Sequence, residues 1–136
     1  MPRQTLQPAQ LFSSKHWGFS QVVVSEPGRT VHIAGQVAWD ANQQCNALGL
    51  EAQFRQALKH VFIALEAAGG VPDDIQILRL YIPGFRSGPD ADVIASVLVD
   101  TFGTENPPAS SWIGVHSLAQ PEYLIEVEAV AITPIK

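Results

Sequence analysis

Residues Leu50 to Ile82 read LEAQFRQALKHVFIALEAAGGVPDDIQILRLYI, a helix, a stop and a strand in one run. Phe54, Leu58, Val61 and Leu65 recur at spacings of four, three and four. A helix over Leu50–Ala68 therefore carries them as one apolar stripe. Gln53, Gln56, Lys59 and His60 fall largely off that stripe. Gly69-Gly70 and Pro72 end the helix, since neither residue type propagates one. Ile75 to Ile82 then switches to the period of a strand, which puts Ile75, Ile77, Arg79 and Tyr81 on one face. Pro83-Gly84 stops the strand.

Toward the C-terminus, Gly88-Pro89-Asp90 opens a second helix. Proline suits its first turn, and Asp90 and Asp92 meet the positive end of its dipole. Val93, Ile94, Val97, Leu98 and Phe102 supply the apolar face and Gly103 closes it. Asn106-Pro107-Pro108 is an extended linker, followed by strands over Ser110–Val115 and Leu124–Ile132. Toward the N-terminus, Phe19–Ser25 (FSQVVVS) and Thr30–Ala34 (TVHIA) are strand-like, and Glu26-Pro27-Gly28-Arg29 between them is turn chemistry. The two are expected to form a β-hairpin. Gly35-Gln36 marks a bulge or a close backbone approach. Residues 40–49 form a polar loop, and residues 1–18 have the composition for one short edge strand. The order strand, strand, helix, strand, helix, strand, strand predicts an α+β fold: one mixed sheet with both helices on one face. Two helices cover only one side of such a sheet. The other side carries Trp, Ile and Val, and self-association is the expected cover.

The 136 residues suit one domain, spanning 1–136. Hydrophobic residues are 46% and charged residues only 15%, which excludes disorder and agrees with a surface partly covered by another subunit. The formal charge is -5, and from Gly88 to Ile135 there is no Lys or Arg. A chain with no basic stripe is not expected to bind nucleic acid. One cysteine, Cys45, excludes an internal disulfide and any CxxC motif. His16, His32, His60 and His116 include no i, i+4 pair, so no helical metal site is expected. No run of apolar residues is long enough for a membrane span, and MPRQTLQPAQ lacks the apolar core of a signal peptide. The expectation is a soluble cytoplasmic protein with no membrane partner.

Glu126 and Glu128 are the carboxylates that stand out. At i and i+2 they project from one face of a strand otherwise made of Leu, Ile, Val and Ala. A solvated face explains such a pair, and so does a carboxylate that orients water in an interfacial pocket. Ser110 and Ser111 follow Pro107-Pro108, but no GxSxG elbow is present. Ser110 is expected to line a pocket or bond the backbone. Trp17, Trp39 and Trp112 are anchors of a core or a subunit interface. Neither GxGxxG nor GxxxxGK[ST] occurs, so there is no phosphate loop.

GFSQ at Gly18–Gln21, AGQ at Ala34–Gln36, LEAAGG closing the first helix, NPPAS at Asn106–Ser110 and IEVEAVA at Ile125–Ala131 come in one order. That series resembles the Rid/YjgF superfamily of reactive intermediate deaminases, also known as endoribonuclease L-PSP proteins. The resemblance covers nearly the whole chain. It implies a chorismate-mutase-like α+β fold and a homotrimer whose sheets form a central barrel, with small-molecule clefts between subunits. It also implies hydrolysis of enamines and imines to a keto acid and ammonia without a cofactor. In that pattern an arginine holds the substrate carboxylate and a glutamate positions water. Here the glutamate position is Glu126 and the glycine is Gly35. The arginine position of PPAR is Ser110, the tyrosine of the YSQ motif is Phe19, and the small residue two places after the arginine is Trp112. A helical asparagine of the pattern aligns with Ala95. The resemblance thus implies Glu126 as catalytic and Phe19, Gly35, Ser110 and Trp112 as substrate-binding, in an arginine-lacking variant with an altered substrate class. A non-catalytic binding or regulatory protein is the alternative. Endoribonuclease activity is disfavoured by the charge.

Overall fold

The computed structural model describes residues 3–135. Residues 1, 2 and 136, the two ends of the expected single domain, lie outside it. Eight main elements follow the chain: β1 (Gln4–Leu6), β2 (Val22–Val24), β3 (Arg29–Gln36), α1 (Gly49–Ala67), β4 (Ile75–Pro83), α2 (Pro89–Phe102), β5 (Ala109–Val115) and β6 (Glu126–Thr133). Short 3-10 turns occupy Lys15–Trp17 and Pro72–Asp74.

The stripe on α1 packs as its spacing predicts. Phe54, Leu58, Val61 and Leu65 are all buried, with Ala57 between them. The helix ends where Ala68 and Gly70 both donate to the Leu65 carbonyl at 3.0 Å, and Gly69 donates to Glu66 at 2.8 Å. These bonds satisfy carbonyls that the helix itself leaves free. α2 begins at Pro89, and its buried Ile94, Val97 and Leu98 join the same core. Asp90 holds the entry to α2. Its carboxylate accepts from the Arg86 backbone N–H at 2.8 Å and from the Arg86 guanidinium at 2.9 Å. The Arg86 side-chain bond, followed by the backbone bond, lowers the Asp90 pKa from its usual carboxylate value.

Under both helices lies a four-stranded sheet in the order β3-β6-β4-β5. β6 runs antiparallel to both its neighbours, while β4 and β5 are parallel and joined through α2, so the sheet is mixed. Leu78, Leu80 and Ile82 of β4, Val127, Ala129 and Ala131 of β6, and Ile33 of β3 face the helices and are buried. Each large aliphatic side chain so covered contributes about 1.5–3 kcal/mol relative to exposure. Among the described residues no helix covers the opposite face of the sheet. The α+β class and the placing of both helices on one side agree with the sequence reading.

Three expectations need correction. The hairpin of Phe19–Ser25 with Thr30–Ala34 does not form. β2 pairs with β1 in a separate two-stranded sheet, so the single mixed sheet has four strands beside a small ribbon. The cause lies in where residue 20 is tied. The Ser20 N–H donates to Pro108 O at 3.0 Å and its hydroxyl to Pro107 O at 2.5 Å, which bridges it to Ala109 on the β5 edge. β3 lies at the other edge, against β6. The chain crosses the end of the sheet between them, touching β4 through Ser25 Oγ and Gln76 Oε1 at 2.8 Å. Second, Ile75 does not share a face with Ile77, Arg79 and Tyr81. A register shift against β6 between Ile75 and Ile77 turns Ile75 into the core. Third, Gln53, read as off the apolar stripe, is buried at 4% exposure because the β5–β6 loop supplies its partners. The reading of Gly35-Gln36 agrees with the structure: the bulge appears in the register and the close approach in the packing described below.

Gly18 shows how tightly the segment before β2 lies on α2. Its φ is +91°, and an added Cβ would stand 2.5 Å from Leu98 Cβ and 3.0 Å from the Val99 nitrogen. Gly84 has φ +59° but open space around it. Gly84→Ala is expected to cost about 1 kcal/mol from the dihedral alone. Gly18→Ala is expected to cost more than about 2 kcal/mol, because the helix backbone cannot give way. Urea midpoints of the two variants would measure the difference, and equal midpoints would refute the close-packing account.

The lowered Asp90 pKa also sets a pH dependence. A depressed carboxylate pKa stabilises the fold above its unfolded value, and that contribution is lost as pH falls through the folded value. Asp90→Asn is therefore expected to lower Tm at neutral pH, with the gap to wild type closing toward acid pH. A gap that widens on acidification would contradict the Arg86–Asp90 assignment.

Candidate functional site

Strand alternation divides the expected site residues between the two faces of the sheet. Along β6, Val127, Ala129 and Ala131 point under the helices, so Glu126, Glu128, Val130 and Ile132 point to the open face. Cross-strand register extends that face. Arg79 lies opposite Glu128, Tyr81 opposite Glu126, and Ser111 and Ile113 opposite Arg79 and Tyr81 on β5. Ser110 and Trp112 pair instead with the buried Leu78 and Leu80, and so belong to the helix side.

Glu126 and Gly35 meet directly. The Glu126 side chain crosses the Gly35 backbone where a Cβ would stand, with Glu126 Cγ 2.7 Å from that point. A residue larger than glycine at position 35 displaces the carboxylate. This is the close approach that a glycine after TVHIA foreshadows. The chain leading into β6 is fixed from behind by Gln53. Its amide donates to Glu122 O at 3.0 Å and accepts from the Leu124 N–H at 2.9 Å. Tyr123 lies between those two residues, buried and edge-on to Trp39 at 5.0 Å. Its pKa is raised by burial first and then by Glu122 and Glu126. Gln53 thus positions the approach to Glu126. Its polarity at a helix position near the apolar stripe was the one available signal.

Glu128 belongs to a separate network on the open face. The Tyr81 hydroxyl donates to Glu128 Oε1, and Arg79 Nη1 stands 3.9 Å from the same oxygen. The bond to Glu128 is the main cause of a raised Tyr81 pKa, followed by burial. The sequence shows Arg79 and Tyr81 sharing a face. Only the β4–β6 register shows that Glu128 joins them.

The other residues gather against α2. Phe19 packs edge-on to Trp112 at 5.6 Å, and the Trp112 indole N–H donates to Ser110 Oγ at 2.9 Å. Phe12 adds contacts to Phe19 at 6.3 Å and Trp17 at 5.7 Å. Trp17, Trp112, Ala91, Asp92 and Ala95 line a cavity of about 200 Å³. The Ser110 hydroxyl bonds the indole, and no histidine bonds it among the described residues, so it lacks the base a nucleophilic serine needs. Phe19, Ser110 and Trp112 therefore form one cluster, and Gly35 with Glu126 forms another, on the opposite side of the sheet.

Among the described residues, no three of His, Cys, Asp and Glu are placed to hold a metal ion. No helix among them is long and apolar enough to cross a membrane.

Comparison with known proteins places this architecture. The family described as endoribonuclease L-PSP matches residues 13–133. The YyfB protein of Yersinia pestis, a Rid-family protein of unknown function, is 40% identical, with a TM-score of 0.88 over 98% of this chain and 100% of its own. RidA from an Antarctic Psychrobacter is 25% identical, with a TM-score of 0.66 over 84% of this chain and 89% of its own. Rv2704 of Mycobacterium tuberculosis, a YjgF-family member, is 26% identical, with a TM-score of 0.64 over 96% and 99%. The match to the family over most of the chain, and the 40% identity across nearly its full length, show that this chain belongs to the Rid/YjgF family of endoribonuclease L-PSP proteins.

Proposed function

We propose that the chain works as a homotrimer that binds a small organic metabolite in clefts shared by two subunits, and hydrolyses an imine there with Glu126 orienting the water. Membership of the Rid/YjgF family supports a small-molecule-binding or deaminase-like role. One observation carries the finer reading. Glu126 and Gly35 occupy the open face, while Phe19, Ser110 and Trp112 occupy the helix side beside edge strand β5. A site using both clusters draws on two copies of the chain. The open face also carries Ile77, Val130, Ile132 and Ile113, apolar surface that a second copy would cover.

In the proposed reaction the water oxygen bonds to the imine carbon. The Glu126 carboxylate accepts one water proton and passes it to the nitrogen, giving a carbinolamine. It then takes the carbinolamine hydroxyl proton and delivers that to the nitrogen as well, so that the C–N bond breaks, the C=O bond forms and ammonia leaves. No cofactor is needed. The substrate is not the carboxylated imine that the family resemblance implies. Ser110 stands where the pattern has its arginine, and Phe19 and Trp112 make the surroundings more apolar. A hydroxyl in place of a bidentate cation forgoes about 1.5–3 kcal/mol of charge-assisted contact, and losing about 3 kcal/mol costs roughly a hundredfold in rate.

A second reading, binding without turnover, is favoured by the Trp112–Ser110 hydrogen bond, which ties up the anchor position from within. Ribonuclease activity is disfavoured: the chain carries -5 and no Lys or Arg between Gly88 and Ile135.

Light scattering at micromolar concentration is expected to give three chains per particle, and a monomer would remove the shared-cleft proposal. Ammonia release from freshly generated imines tests turnover. With 2-iminobutyrate, the rate is expected to stay close to the buffer control. With carboxylate-free aromatic imines, a rate above buffer is expected, falling at least about tenfold in Glu126→Gln. Retained binding with no turnover of any imine would decide for the second reading. Fast turnover of 2-iminobutyrate would overturn the altered substrate class.

A further inference from the structure

We infer that the cavity between α2 and the Trp17 turn takes an organic cation, an ammonium or protonated imine carried on a small apolar body. The inference rests on the reading above that this side of the chain binds a small metabolite, and it names the ligand's charge. The cavity of about 200 Å³ has two indoles, Trp17 and Trp112, two alanine methyls, Ala91 and Ala95, and a single charged side chain, Asp92. Aromatic faces beside a carboxylate are the chemistry that recognises an organic cation, through the ring quadrupole and direct charge pairing.

The two indoles are held in place. Trp112 donates its N–H to Ser110 Oγ at 2.9 Å, so it offers the cavity ring surface and not a donor. Trp17 is braced by Phe12 at 5.7 Å and His16 at 4.7 Å, yet remains 46% exposed. That is a large apolar area for a free surface, and a ligand would cover it.

Lys15, Arg86 and Arg3 are engaged elsewhere. Lys15 Nζ donates to Glu105 O at 2.9 Å and to Thr5 Oγ1 at 3.3 Å. Arg86 is bonded to Asp90, and Arg3 to Pro72 O with Asp73 close by. No ion pair reaches Asp92 among the described residues, and neither α2 nor β5 contains a Lys or Arg. The positive end of the α2 dipole accounts for an acid in the first turn. It does not account for two indoles beside that acid. An anionic ligand would meet Asp92 with no compensating charge from this subunit, which sets the site apart from one that anchors a carboxylate.

Isothermal titration of the full chain at neutral pH with n-butylammonium, 1-butanol and butyrate tests the inference, because the three share one body and differ in the head. Butylammonium is expected to bind about tenfold tighter than either of the others. Asp92→Asn keeps a polar residue in the first turn of α2, and circular dichroism would check its fold. It is expected to weaken butylammonium at least about fivefold and leave butanol unchanged. Trp17→Leu, at an exposed position, is expected to weaken butylammonium as well. Butyrate binding as tightly as butylammonium, or an Asp92→Asn change that leaves butylammonium unweakened or weakens butanol equally, would overturn the cation inference and leave a small-molecule site standing. Binding of none of the three would overturn the inference and the small-molecule reading of this cavity together.

Discussion

β6 is paired on both edges, and most of what the molecule presents depends on that pairing. With β3 on one side and β4 on the other, its register is pinned twice. Strand alternation then leaves no freedom in which side chains face where. Val127, Ala129 and Ala131 go under the helices, and Glu126 and Glu128 go to the open face. A slip of one residue would bury two carboxylates among aliphatic side chains and expose the core. The Glu126 position is thus held by the same interactions that hold the fold. Gly35 adds local precision by leaving the room the side chain occupies.

The aromatic cluster is assembled differently. It depends on an irregular segment, residues 12–20, clamped onto the edge of the sheet and the flank of α2. Ser20 ties the segment to Pro107 and Pro108, and Gly18 lets it lie against Leu98 and Val99. Ser14 supports the turn by donating to Phe19 O at 2.7 Å. Phe12, Trp17 and Phe19 are delivered to Trp112 and α2 as a consequence. Loops of this kind vary more easily than paired strands.

Ser110 and Trp112 share one face of β5, on the helix side of the sheet. The Trp112 indole N–H donates to Ser110 Oγ at 2.9 Å, which ties the two side chains together. Asp92 lines the same cavity as Trp112.

The sequence alone determined the elements and their class. The four-three-four stripe of α1 survives any tertiary arrangement, because it reflects helix geometry itself. The same holds for the i, i+2 relation of Glu126 and Glu128 and for the stop at Gly69-Gly70. Tertiary structure decided the partners. FSQVVVS and TVHIA look like a hairpin because turn residues lie between them, but hydrogen bonds from Ser20 to Pro107 and Pro108 hold the first at the far edge of the sheet. Gln53 looks solvent-facing until the β5–β6 loop folds over it. Glu128 gains Arg79 and Tyr81 through contacts between residues far apart in the chain, and Trp17 comes to line one cavity with Trp112 and Asp92. Periodicity is a local property that a few residues can express. Register and edge assignment depend on competition among all the strands, which no single stretch of sequence contains.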